Sequence, residues 1–234
     1  MTDDRHPFLT LNCSHCGYPL KVRVHAGLAD RTCLECRKKW FGYHFETILE
    51  IVSKWKAVYF MTLTLRNIPD RAWSRGHVRD LRANFGKLRR RFKTILGGFY
   101  CVQTTNRGKG WHLHLHVLFD GSYVHQAALS KAWAEITSGS WIVGIELVQN
   151  RRKAVGYLLR DFLQAPKIRP EDVEFFNSVF HGSRLIQPFG KYKNVRFLRF
   201  PFPCPVCGRV EWILLDVLLG EKRGFHRDWD KDGP

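Results

Sequence analysis

Long apolar runs are missing from this chain, and acidic residues are too few to balance the basic ones. No stretch approaches the ~18 uninterrupted apolar residues of a membrane-spanning helix. The most apolar segments, AVYFMTLTL (57–65) and WILLDVLL (212–219), are only strand-length. The first residues, MTDDRHPF, are acidic and hold no apolar signal core. Internal repeats and low-complexity tracts are absent as well. These absences lead to the expectation of a soluble, cytoplasmic protein with no membrane partner. The 21 Asp+Glu against 38 Lys+Arg leave a formal charge of +17. So large an excess opposes compaction unless a polyanion is the usual neighbour, which makes nucleic acid the leading partner and an anionic membrane the second. Aromatic residues make up 14% of the chain and supply surfaces on which bases can stack.

A chain of 234 residues can bury a real core, and this length suits one moderate domain with a small appendage or two. The seven cysteines fall as three Cys-x-x-Cys pairs and a lone Cys101. An odd count argues against a complete disulfide framework, and pairs two residues apart are metal knuckles more often than disulfides in a reducing compartment. Cys13 and Cys16 are followed by Cys33 and Cys36, and two such knuckles complete a tetrahedral zinc site with bonds near ~2.3 Å. The segment 1–48 is therefore expected to be a zinc ribbon, held by its ion because so short a module cannot hold itself by burial. It either acts as a staple alone or also grips DNA through bases that include Lys38 and Lys39. A further knuckle, Cys204 and Cys207, lies in the tail 201–234 and leaves two ligand positions open, for His226, His181 or nothing.

Between these ends, 49–200 reads as the main domain. WKAVYFMTLTL (55–65) is a buried strand ending in alternating threonines. Residues 78–92 place Val78, Leu81, Phe85, Leu88 and Phe92 at helical spacing, with Arg89, Arg90 and Arg91 as candidate phosphate contacts. Helices are also expected over 125–136 and 151–164, and a strand over 141–149. GGFYCVQTT and WHLHLHVLF flank NRGKG, the pattern of a hairpin. Alternation places His112, His114 and His116 on one face and Trp111, Leu113, Leu115 and Val117 on the other. A turn near Arg107 and Gly108 would set Gln103 opposite His112 and Cys101 opposite His114. Strand neighbours i and i+2 stand ~6.6 Å apart, so two imidazoles can share one ion at ~2.1 Å. The bland alternative is a polar or DNA-facing row of histidines.

Three blocks in this order resemble the HUH endonucleases: FMTLTLRN (60–67), VQTTNRGKGWHLHLHVLFDG (102–121) and YLLRDF (157–162). Their tryptophan-His-x-His-Leu-His block is most similar to that of single-tyrosine replication initiators. The resemblance implies an α+β fold with a central, mainly antiparallel five-stranded sheet and helices packed largely on one face. It implies that His114 and His116 hold Mn2+ or Mg2+ with Gln103 as third ligand and His112 adjoining, and that Tyr157 is the nucleophile. The family usually has a lysine three residues after the tyrosine, where this chain has Arg160, with Lys153 one turn earlier. A phenol with pKa near ~10 is only about 0.1% ionised at pH 7, so a nearby cation or base must assist it. The implied activity is site-specific nicking and joining of single-stranded or extruded origin DNA through a 5′-phosphotyrosine, with a host or plasmid helicase and polymerase as partners. Tyr192 is a reserve nucleophile. The competing readings are a transposase or relaxase with the same chemistry, a non-catalytic zinc-ribbon nucleic-acid-binding protein, and a zinc hydrolase using the three histidines.

Overall fold

The computed structural model describes residues 8–23, 34–106, 108–160, 169–180, 183–195, 204–209 and 212–214. The chain divides into two compact units, residues 1–28 with 198–234, and residues 29–197. The three consecutive segments read from the sequence are thus regrouped: the first and last contribute to one unit. Helix α1 (Leu34–Ser53) runs across the expected 48/49 boundary and belongs to the other unit.

In the smaller unit β1 (Phe8–Cys13) pairs antiparallel with β2 (Pro19–Arg23) on one side and with β8 (Trp212–Leu214) on the other. The larger unit is α+β. Its antiparallel sheet is built from β3 (Val58–Thr64), β4 (Ile95–Asn106), β5 (Trp111–Gly121), β6 (Val143–Leu147) and β7 (Ile186–Gly190), in the order β6-β3-β5-β4-β7. All four neighbouring pairs are antiparallel, and β5 with its histidines is central.

Helices cover both faces of this sheet, not one. Strand alternation sends Leu113, Leu115, Val117 and Phe119 to one side. There they pack with Leu81, Phe85 and Leu88 of α2 (Arg75–Arg91), Leu129 and Trp133 of α3 (Gln126–Ile136), and Phe176 and Phe180 of α5 (Val173–Phe180). Each fully buried Leu or Phe here contributes about 2 kcal/mol relative to exposure. The other side is polar only at the histidine end. Phe60, Phe99 and Leu118 make the rest of it apolar, and α1 covers them with Phe45, Ile48 and Val52, beside Val155 and Leu158 of α4 (Arg151–Leu158). A histidine row that gives way to phenylalanine and leucine along the same face requires this second layer.

In the β4–β5 hairpin Asn106 lies opposite Trp111. The Asn106 side chain accepts from the Gly108 N–H at 2.9 Å, which holds the chain in a longer connection than the tight turn expected. Every pairing therefore shifts by two residues: Gln103 lies opposite His114, Cys101 opposite His116 and Thr105 opposite His112.

Candidate metal and tyrosine site

The alternating threonines of β3 acquire a role from register. Thr62 faces His116 and Thr64 faces His114 across β3 and β5. Each threonine Oγ1 lies 3.0 Å from the Nδ1 of its histidine. A hydrogen bond at Nδ1 fixes the plane of the ring and, with Nδ1–H donating to the hydroxyl, leaves the Nε2 lone pair for an ion. Burial pushes the His114 imidazole down to about 4, with His112 and Arg160 adding to the effect. Burial likewise takes His116 down to about 3, helped by His114 and Arg160. Both rings are therefore neutral at pH 7, the state a metal ligand needs. His112 is also lowered by burial, and its ring centroid is 4.4 Å from that of His114.

Gln103, 3% exposed, completes the corner. Its Oε1 accepts from Arg160 Nη2 at 3.2 Å, while its Nε2 has no hydrogen-bond partner among the described residues. An amide oxygen has two lone pairs, so the bond from Arg160 leaves one for an ion. Two neutral imidazoles and an amide oxygen make a mixed nitrogen–oxygen donor set that does not by itself select among manganese, magnesium and zinc.

Tyr157 comes to this corner on α4. Asn150 caps the helix by accepting from the Lys153 N–H at 2.9 Å. Arg151 donates to the carbonyls of Ser53 and Trp55 at 2.8 and 2.6 Å, which fastens the helix start to the end of α1. With Val155 and Leu158 buried, Tyr157 falls at the rim and is 44% exposed. Its ring stands edge-on to His116 at 5.4 Å between centroids and edge-on to Phe60 at 5.3 Å. The Arg160 guanidinium lies 4.6 Å from the Tyr157 ring centroid, so one cation touches both the tyrosine and Gln103. Lys153 is exposed one helical turn before Tyr157. Asp161 and Phe162, the last residues of the tyrosine block, lie outside the described residues.

Other candidates are placed elsewhere. The Tyr192 hydroxyl donates to Asp120 at 2.9 Å and its ring stacks on Trp55 at 5.0 Å, toward the end of β5 away from the histidines. Arg89, Arg90 and Arg91 end α2, on the opposite face of the sheet from the histidine row. The Arg89 guanidinium lies over the Phe189 ring at 4.5 Å, Arg91 pairs with Glu135, and Arg90 is exposed.

The smaller unit gathers a different set of thiols from the one expected. The Sγ atoms of Cys13, Cys16, Cys204 and Cys207 all lie within 4.8 Å of one another, and this group could hold a metal ion such as zinc. Bonds of ~2.3 Å at tetrahedral angles put sulfurs about 3.8 Å apart. The Cys13–Cys207 and Cys16–Cys204 separations are 3.5 and 3.4 Å. The two knuckles repeat one backbone design. Gly17 N–H donates to Cys13 O and Gly208 N–H to Cys204 O, and these glycines have φ of 71° and 72°, the left-handed region that a side chain disfavours. The signal was in the sequence: Cys13-x-x-Cys16-Gly17 and Cys204-x-x-Cys207-Gly208 share the glycine, whereas Cys36 is followed by Arg37. Cys36 falls within α1, and Cys33, His181 and His226 lie outside the described residues. The side chains of Lys38 and Lys39 lie outside them too. Backbone N–H groups of Cys16 and His15 bring the Cys13 thiol down to about 6. Cys16 is pushed up to about 12, because lost solvation and the neighbouring sulfurs outweigh the Tyr18 N–H bond. Four adjacent sulfurs cannot all ionise without a cation among them.

No protein-family model matches the chain, and no curated protein matches it. Among solved structures it is similar to the crystal structure of the hypothetical protein ORF119 from Sulfolobus islandicus rod-shaped virus 1. That match has 13% identity, covers 50% of this chain and 91% of the other, and has a TM-score of 0.31. An overlap so loose bears on neither fold nor activity. Among the described residues, no helix is long and apolar enough to cross a membrane.

Proposed function

We propose that the chain nicks and rejoins single-stranded or extruded DNA through a covalent link to Tyr157, as an initiator of rolling-circle replication of a plasmid or phage. The observation that carries this reading is the half-exposed Tyr157 ring set edge-on against His116, in a corner where Thr62 and Thr64 orient two neutral imidazoles. His114, His116 and Gln103 would hold a divalent ion. Bound there, the ion would offset negative charge gathering on the scissile phosphate during in-line attack.

The protein's own groups do the rest. Tyr157 Oη attacks phosphorus, forming a P–Oη bond as the bond to the 3′ oxygen breaks. The phenol gives up its proton, the departing oxygen takes one up as a 3′ hydroxyl, and the 5′ phosphate remains on the tyrosine. Arg160 on the Tyr157 ring, and Lys153 one turn earlier, offset the phosphate charge that the tyrosine gains. Reversal reseals the strand with no ATP. The 3′ hydroxyl would be extended by a host polymerase in the cytoplasm, with a helicase supplied by the host or plasmid. In the smaller unit the four thiolates suit zinc better than manganese or magnesium.

The test is incubation of the full chain with single-stranded oligonucleotides and manganese, followed by denaturing electrophoresis and mass spectrometry. A DNA-linked peptide containing Tyr157, absent from Tyr157→Phe, is the expected result. Cleavage undiminished in Tyr157→Phe, or cleavage without an adduct, overturns the reading and points to a water nucleophile.

A further inference from the structure

Rows of residues cross the histidine face of the larger unit. One row runs Ile142, Thr64, His114, Gln103, and the next runs Gly144, Thr62, His116, Cys101. Toward β7 this face is roofed, since Cys101, Phe99 and Ile186 are buried in the core shared with α1 and α4. Toward β6 it is open. Ile142 is 53% exposed, Glu146 is exposed, and a Cβ built on Gly144 meets no atom within 4 Å. The result is a shelf beside Thr62 and His116, bordered by the Tyr157 ring and empty because residue 144 has no side chain.

Trp141, the residue before Ile142, is 64% exposed, the most of the tryptophans whose side chains are described, and alternation from Ile142 sets it off the histidine face, across the β6 edge. Its backbone is held firmly. Its carbonyl accepts from Ser130 Oγ at 2.6 Å, and the turn before it is fastened to the end of β3 by Arg66 N–H on Ser140 Oγ and Arg66 Nε on Gly139 O, both at 3.0 Å. Ser138 in that turn has φ of 56°, a left-handed conformation that a serine adopts only when its surroundings impose it. A rigid backbone carrying an open indole is a platform prepared for a flat partner.

We propose that the unpaired strand presented to Tyr157 crosses the edge of the sheet over Gly144 and stacks a base on Trp141. The inference rests on the nicking reading and names the path of its substrate. Charge selects the occupant: Lys153 on α4 and Arg160 just beyond its end flank Tyr157, exposed Arg66 is bonded to Gly139 and Ser140 ahead of β6, exposed Lys109 lies beside Asn67 past the end of β3, and Glu146, opposite Phe60, is the one carboxylate of β6. A sugar–phosphate backbone fits between such flanks, and the missing side chain lets it approach the sheet closely.

The experiment measures binding separately from cleavage. Anisotropy of a fluorescein-labelled oligothymidine is followed in the full chain carrying Tyr157→Phe, alone and combined with Trp141→Ala, Gly144→Leu or Leu96→Ala. Trp141→Ala should weaken binding about 5- to 150-fold, the usual loss for one stacked base. Gly144→Leu should also weaken it while circular dichroism and melting stay unchanged, since a Cβ at this position meets no atom within 4 Å. Should Gly144→Leu fail to fold, Gly144→Ala replaces it. Leu96→Ala, at an exposed residue outside these rows, should bind as the parent does. Affinities unaltered by both shelf variants overturn the path and leave the β6 edge for a protein strand, and so does a parent that binds no oligonucleotide. A wild-type chain that binds through Trp141 and Gly144 yet forms no tyrosine adduct sinks the nicking reading alone.

Discussion

Replacing Thr62 and Thr64 together with valine removes two hydroxyls at nearly constant volume and β-propensity, and leaves both imidazoles and Tyr157 in place. Each hydroxyl makes one 3.0 Å bond to a histidine Nδ1. The net worth of such a bond is ~0.5–1.5 kcal/mol, so the pair accounts for ~1–3 kcal/mol of ring orientation, about 5- to 150-fold in metal affinity. Loss of an outer partner of a ligating histidine falls in the same range, about 10- to 100-fold. Manganese titration of the zinc-loaded full chain, read as the disappearance of the free-ion electron paramagnetic resonance signal, measures it directly. His114→Ala and His116→Ala should abolish binding, and the double valine variant should weaken it within the stated range. Unaltered affinity in the valine variant would show that the threonines do not orient the rings. Unaltered affinity in the alanine variants would remove the ion from this corner altogether.

The smaller unit should carry one zinc per chain by plasma mass spectrometry. Cys204→Ser with Cys207→Ser should lose that zinc, whereas Cys33→Ser with Cys36→Ser should keep it; the opposite pattern would restore the ligand set first read from the sequence. Stability of the larger unit should depend on pH with a definite sign. His114 and His116 titrate near 4 and 3 when folded, against an ordinary 6.5. Below 6.5 the unfolded chain takes up protons that the folded chain refuses, so stability is full above 6.5 and is lost progressively as pH falls toward 4. Thermal melts of the metal-free chain at neutral and acid pH should show this loss, and His116→Asn should flatten it. Arg160→Lys keeps a charge but gives up the planar contact with Tyr157 and the fork that reaches Gln103, so nicking in a single-turnover gel assay should slow at least tenfold. An undiminished rate would assign Arg160 to packing alone.

Much of the larger unit was legible because period-two alternation is a strong signal. The faces of β5 follow from WHLHLHV, and the helices α2 and α3 follow from apolar spacing within a few residues of their ends. Register was less legible, since it depends on where a connection of several residues closes. Asn106 settles that point with a side-chain bond that the sequence does not announce. The threonines could be noticed but not interpreted until pairing placed them opposite the histidines. Covering of both faces was missed because the histidines drew attention to the polar end of a face that Phe60, Phe99 and Leu118 make apolar farther along. The thiol partners were missed because nearness in sequence outweighed the glycine that Cys16 and Cys207 share and Cys36 lacks.

The sulfur cluster also sets an order of events during synthesis. Its first two thiols leave the ribosome near the start and its last two only at residues 204 and 207, so all of 29–197 is translated in the interval. The five-stranded sheet can settle while the early knuckle still waits for its counterpart, and an ion held by all four thiols would close the loop from Cys13 to Cys207 only after that.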